Sequence, residues 1–204
     1  MNELTGTKTR LLAIARELFA RQGYENTSVR QITTQAGANL GAVTYHFHTK
    51  KHLYHQVLLS LTEPLIACVT AAVQDPAPPI DRIERFVRAY FDFLLENREL
   101  PAMMLHELSL SRFLPDPVRS LMERVSTLLG SIIREGQEDG GLVPGNPGLM
   151  VLSIIALPVH AVISQPIAHQ VFGQDLNIPG VRAGVIDHIT AFLRRSLANP
   201  ERSV

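Results

Sequence analysis

Apolar residues recur along the chain every three or four positions, and no stretch alternates with period two between turn residues. That periodicity predicts an all-α chain of about nine helices. The first helix is expected over Thr7–Gln22, with Leu11, Leu12, Ala15, Leu18 and Phe19 as one stripe and Gly23 ending it. A second opens at Ser28, where Ser28-x-x-Gln31 reads as a capping box, and Val29, Ile32 and Ala36 follow at helical spacing. Gly37 supplies the left-handed backbone that ends such a helix sharply. Asn39 is a good N-cap for the third, in which Leu40, Val43 and Phe47 are expected to pack inward. Gly41 and Ala42 would then keep its outer face slim.

The fourth helix starts near Thr49 and runs through Leu53, Val57, Leu58 and Leu61, bending at Pro64 before Leu65, Ile66 and Val69. A Pro-rich break at 75–79 precedes helix 5 (80–96). Helix 6 (101–111) and helix 7 (117–138) follow. Helix 8 is expected from Asn146-Pro147 to about Gln170, interrupted at Pro158 and Pro166, and helix 9 over 181–198. Helix 8 is apolar around much of its circumference, through Leu149, Leu152, Ile155 and Val159 among others. Such a helix needs cover on more than one side, and a second copy of the chain accounts for it best.

Two short helices around a tight turn make a helix-turn-helix, so residues 1–48 read as a three-helix DNA-binding domain and 49–204 as a dimerising helical bundle. The net charge of zero argues against nucleic acid only until it is resolved along the chain. Residues 1–55 hold seven Lys or Arg against three Glu, and the acidic excess lies beyond them. Candidates for DNA contact are Thr27 and Ser28 at the start of helix 2, Lys50 at the start of helix 4, and Asn39, Leu40, Gly41, Ala42, Thr44, Tyr45 and His46 around helix 3. Ser28 and Lys50 are placed for phosphate, and Tyr45 and His46 suit it too. Asn39, Ala42 and Thr44 suit base edges, the methyl groups facing thymine.

Thr27-Ser28-Val29, Ala36-Gly37, Gly41 and His46-Phe47-x-x-Lys50-x-x-Leu53 resemble the N-terminal domain of the TetR family of transcriptional repressors, over roughly residues 8–55. One departure is that Thr44 stands where the family often has Tyr, with the aromatic displaced to Tyr45. The resemblance implies a homodimer packed through the last two long helices and a near-palindromic operator in double-stranded DNA. It also implies a cavity in the C-terminal bundle for a small apolar or amphipathic effector that releases the repressor.

Residues placed to line that cavity are Phe86, Tyr90, Phe93, Met103, Met104, His106, Glu107, Phe113, Met122 and His160, although aromatic and Met stripes are more often plain core. Arg88 or Arg112 could meet an anionic ligand. His46, His48, His52 and His55 invite a metal reading, but no Cys or carboxylate beside them completes a set, and no metal or cofactor is expected. The single cysteine, Cys68, reads as a small buried hydrophobe and suits a reducing cytoplasm. No membrane span or leader is expected. A helical-bundle enzyme is the alternative from another class, and the chain carries no phosphate loop, no G-x-S-x-G and no His-Glu-x-x-His to support it. An activator or a constitutive DNA binder without effector would keep the head and drop the pocket.

Overall fold

The computed structural model describes residues 2–110 and 114–200, with side chains placed over 6–107 and 114–200. Among these residues the chain is helical, its one β-type pairing being an isolated bridge between Leu142 and Ala198. The elements are α1 (Asn2–Gln22), α2 (Val29–Gln35), α3 (Gly41–Phe47), α4 (Lys50–Ala72) and α5 (Pro79–Glu96). They continue with α6 (Glu99–Leu110), α7 (Asp116–Glu138), α8 (Pro147–Ile163), α9 (Gln165–Phe172) and α10 (Pro179–Leu197).

The tenth helix arises because the long apolar segment expected as helix 8 breaks at Ser164, where α8 and α9 meet at 62°. Pro158 stays inside α8, buried, and does not interrupt it. Pro166 lies in the first turn of α9, where its missing N–H costs nothing. α4 likewise runs through Pro64 as one helix.

Two compact units share the chain: 1–63 with 99–120, and 64–98 with 121–204. The packing thus divides inside α4, whereas the division of labour expected at 48/49 is a functional one. In the first unit α1 packs on α2, α3 and α6. Leu11, Ala15, Leu18 and Phe19 are buried as one stripe, with Ile32, Val43, Phe47 and Met103 in the same core. The Arg16 guanidinium donates to Glu99 Oε2 at 2.9 Å and ties α1 to α6.

In the second unit α5 is the central element, packed on α8 and α10. Ile83, Phe86, Val87, Tyr90, Phe91 and Leu94 recur on its inner face and are buried, each contributing about 1.5–3 kcal/mol of transfer free energy. Arg88–Asp187, Arg182–Asp92 and Arg194–Glu84 join α5 to α10 at 2.6–2.7 Å. Being partly exposed, these pairs set register more than stability. Gly136 on α7 admits close packing, since a Cβ there would meet Leu142 at 2.5 Å and Pro79 at 2.9 Å.

α4 is long and apolar enough to cross a membrane by length and composition. Its Leu53, Val57, Leu58, Leu61 and Leu65 are at most 1% exposed, so packing within the protein accounts for that composition. Cys68, expected to be buried, is exposed on α4. Its thiol is pushed above the ordinary value by partial burial and by the charges of Glu96 and Asp92, which keeps it protonated.

Candidate nucleic-acid interface

Local side chains fix both ends of the helix-turn-helix. The Ser28 hydroxyl accepts from the Gln31 amide at 3.2 Å, and the Ser28 amide donates to Gln31 Oε1 at 2.8 Å, which completes the expected capping box. Gly37 takes φ +60, as the sharp exit from α2 requires. Thr49 caps α4 by accepting from the His52 amide at 3.0 Å. Between α3 and α4 the chain makes a three-residue γ-turn: the Thr49 amide donates to Phe47 O at 2.7 Å, with His48 at φ 63 and ψ −51. That conformation is strained for a residue with a Cβ. No local signal in the sequence announces it.

α3 itself has two faces. Val43 and Phe47 are 1% exposed and anchor it to the core. Gly41, Thr44, Tyr45 and His48 face solvent, and Leu40 and Tyr45 are 61% and 68% exposed. A Cβ on Gly41 would meet nothing nearer than Asn39 Oδ1 at 3.5 Å, so this face is open. Asn39 is exposed and His46 half-buried. The helix opens on Leu40, which has helical dihedrals and no side-chain cap, and not on an Asn39 cap.

Leu40 and Ala42 are therefore exchanged relative to expectation, Leu40 outward and Ala42 inward. Helical side chains lean toward the N-terminus, so a large residue at the entry of so short a helix overhangs the end of the packed face. Ala42 is buried beside Val43 and presents no methyl group to a base. Thr27 is 1% exposed, and its hydroxyl donates to Gly23 O at 2.7 Å, so it staples the α1–α2 turn and does not present its hydroxyl at the surface.

Lys50 is likewise engaged within the protein. Its Nζ donates to Tyr24 O and to Thr27 O, both at 2.8 Å, and lies 4.1 Å from the centroid of the Tyr24 ring. The ammonium braces the α1–α2 turn. On α4 and the turn before it, the His48 and His52 rings meet edge to face at 6.2 Å and the His52 and His55 rings stack at 6.4 Å.

The residues expected to line one ligand cavity do not come together. Phe86, Tyr90 and Met103 are at most 3% exposed and are core. Phe93 and Met104 are partly covered, Met122 borders an open groove between α7 and α8, and His160 is exposed. Phe113 and Arg112 lie outside the described residues. Arg88 is not available to an anion, because it bonds Asp187 and Thr190.

His106 and Glu107 do meet in a cleft, but in the first unit. It encloses about 490 Å³ between the α1–α2 turn, α4, α6 and the start of α7. Tyr24, Tyr54, Leu58 and Leu114 give it an apolar floor, and Lys51, His55 and Asp116 join His106 and Glu107 around it. The Tyr54 hydroxyl donates to Glu107 Oε1 at 2.6 Å. Burial, then the bond to Glu107 and its charge, push the Tyr54 phenol well above its ordinary value.

A bundle carrying a basic helix-turn-helix with an open third helix defines a DNA-binding transcription regulator. Residues 11–57 match the profile of bacterial regulatory proteins of the tetR family, and residues 79–193, more than half of the chain, match a tetracyclin-repressor-like C-terminal domain. The chain belongs to the TetR family.

Among curated relatives, the HTH-type transcriptional repressor KstR2 of Mycobacterium tuberculosis is 28% identical over 90 residues, covering 44% of this chain and 45% of KstR2. The HTH-type transcriptional activator FasR of Mycolicibacterium smegmatis is 31% identical over 84 residues, 41% of this chain and 38% of FasR. The matched region thus spans less than half the length of either relative. A solved tetR-family regulatory protein from Rhodococcus RHA1 shares the fold, with a TM-score of 0.75 at 24% identity, over 92% of this chain and 95% of that one.

Proposed function

We propose that the chain is a homodimeric transcriptional repressor whose two α3 helices enter successive major grooves of a near-palindromic operator and which a small effector releases. The open outer face of α3, anchored from behind by Val43 and Phe47, carries the reading. In it residues 1–48 read DNA, with Asn39, Leu40, Gly41 and Thr44 toward base edges and Tyr45 and His46 toward phosphate. Ser28 stands at the edge of this surface, its hydroxyl already engaged in the cap.

Residues 49–204 carry dimerisation. α8 and α10 leave Leu149, Leu152 and Phe192 at 64%, 59% and 47% exposed, an apolar surface that a second copy would cover. The cleft holding His106 and Glu107 is the effector site we favour. A molecule there touches the α1–α2 turn, α4 and α6 at once. It loosens DNA binding if it fits best a form of these elements that holds α3 out of register.

Selection of duplexes from a random pool with the full chain, followed by footprinting, tests the reading. A symmetric protected site is expected, with half-sites about one helical turn apart or slightly more. An asymmetric footprint, or no enrichment at all, rejects it. A site overlapping the promoter marks repression, and one upstream of it marks activation.

A further inference from the structure

We infer that α3 reads its operator through thymine methyl groups, so that A·T pairs lie beneath Leu40 and Thr44 in each half-site. This rests on the DNA-binding reading above and goes beyond it to the bases chosen.

Major-groove guanine is read by the forked donors of Arg or Lys, cytosine by a carboxylate, and adenine by the amide of Asn or Gln. From Asn39 to His48 the chain holds no Arg, Lys, Asp, Glu or Gln. The nearest lysine, Lys50, has its ammonium held by Tyr24 O and Thr27 O. What the open face of α3 does hold is the isobutyl group of Leu40, 61% exposed, and the hydroxyl and methyl of Thr44. Gly41, between them on that face, allows close approach because a Cβ there would meet nothing nearer than Asn39 Oδ1 at 3.5 Å.

The thymine methyl is the apolar feature of the major groove, and these side chains match it. Asn39 is the one amide at this surface, and its partner of choice is adenine, so both groups favour the same base pair. A leucine left in water at the entrance of a helix gains by covering such a methyl group. Readout of this kind adds no charge. Discrimination between operator and random duplex therefore stays nearly constant with salt, while total affinity falls.

The test replaces thymine by deoxyuridine, one position at a time, in the duplex that the full chain selects. At one or two positions per half-site, affinity is expected to fall about fourfold, the worth of one buried methylene. L40A is expected to bring that dT-to-dU ratio close to one at its position while circular dichroism stays unchanged. Uniform deoxyuridine substitution without loss of affinity overturns the inference, as does an L40A/T44A chain that still distinguishes dT from dU. Selected half-sites that are G·C under α3 overturn it as well. Failure to enrich any duplex defeats the DNA-binding reading itself, and this inference with it.

Discussion

α3 and the α8–α10 surface both leave large apolar side chains in water, but in different company. On α3, Leu40 and Tyr45 alternate with Asn39, Thr44 and His48, all able to hydrogen-bond. Along α8 and α10, Leu149, Leu152 and Phe192 border grooves of about 510 and 630 Å³ whose walls are mainly apolar. A sparse, mixed face suits a wet, polar partner such as a base-pair edge. A continuous apolar face calls for a dry one, and a second copy of the same helices supplies it. Exposed hydrophobicity is thus two signals, told apart by what lies between the apolar groups.

The sharpest way to separate the two faces is to charge each in turn. L149D combined with F192E is expected to weaken self-association about a hundredfold or more, leaving a folded monomer by analytical ultracentrifugation. A charge at Leu40 should leave the dimer intact. Equal loss of dimer from both would erase the distinction.

Lys50 comes next. K50A removes a donor from two carbonyls, Tyr24 O and Thr27 O, and should lower unfolding free energy by about 1–3 kcal/mol in denaturant titrations. R30A, on the exposed face of α2, should leave stability unchanged and reduce the salt slope of DNA binding. Were Lys50 a phosphate contact, the two variants would behave alike.

The pH profile bears on the cleft. Burial and Glu107 raise the Tyr54 phenol, and burial alone raises Tyr90. A group whose folded pKa is raised contributes stability that is full below its unfolded value and lost above it. Stability should therefore hold steady up to about pH 10 and decline beyond it. Y54F should flatten part of that decline while costing stability at neutral pH, because the hydrogen bond from the Tyr54 hydroxyl to Glu107 is lost.

The smallest effect is a gain. H48G relieves the γ-turn at φ 63 and should stabilise the chain by about 1 kcal/mol in thermal melts. No change would mean that neighbouring contacts hold the turn without strain.

The helices were legible because their ends are made locally. Ser28 with Gln31, Gly37 and Thr49 each act within four residues of themselves, so sequence alone placed them. The bonds of Lys50 to Tyr24 O and Thr27 O were not legible, because those partners lie 26 and 23 residues away in the chain. Phe86 and Tyr90 share their helical spacing with pocket-lining residues, and periodicity cannot distinguish a filled interior from a hollow one. His106 and Glu107 were expected inside the C-terminal bundle, and only the packing of α6 on α1 shows that they face the α1–α2 turn. Leu40 and Ala42 stand on the faces opposite to those their hydrophobicity predicts, because geometry sets the phase at a helix entry.

One substitution reaches the central claim most directly. G41E places a carboxylate on the open face of α3, where a Cβ meets nothing nearer than Asn39 Oδ1 at 3.5 Å. Fluorescence anisotropy with the selected duplex should then show affinity lowered about a hundredfold or more, with circular dichroism, melting temperature and dimer mass unchanged. A G41E protein that binds the duplex as tightly as the parent would show that α3 does not enter the groove.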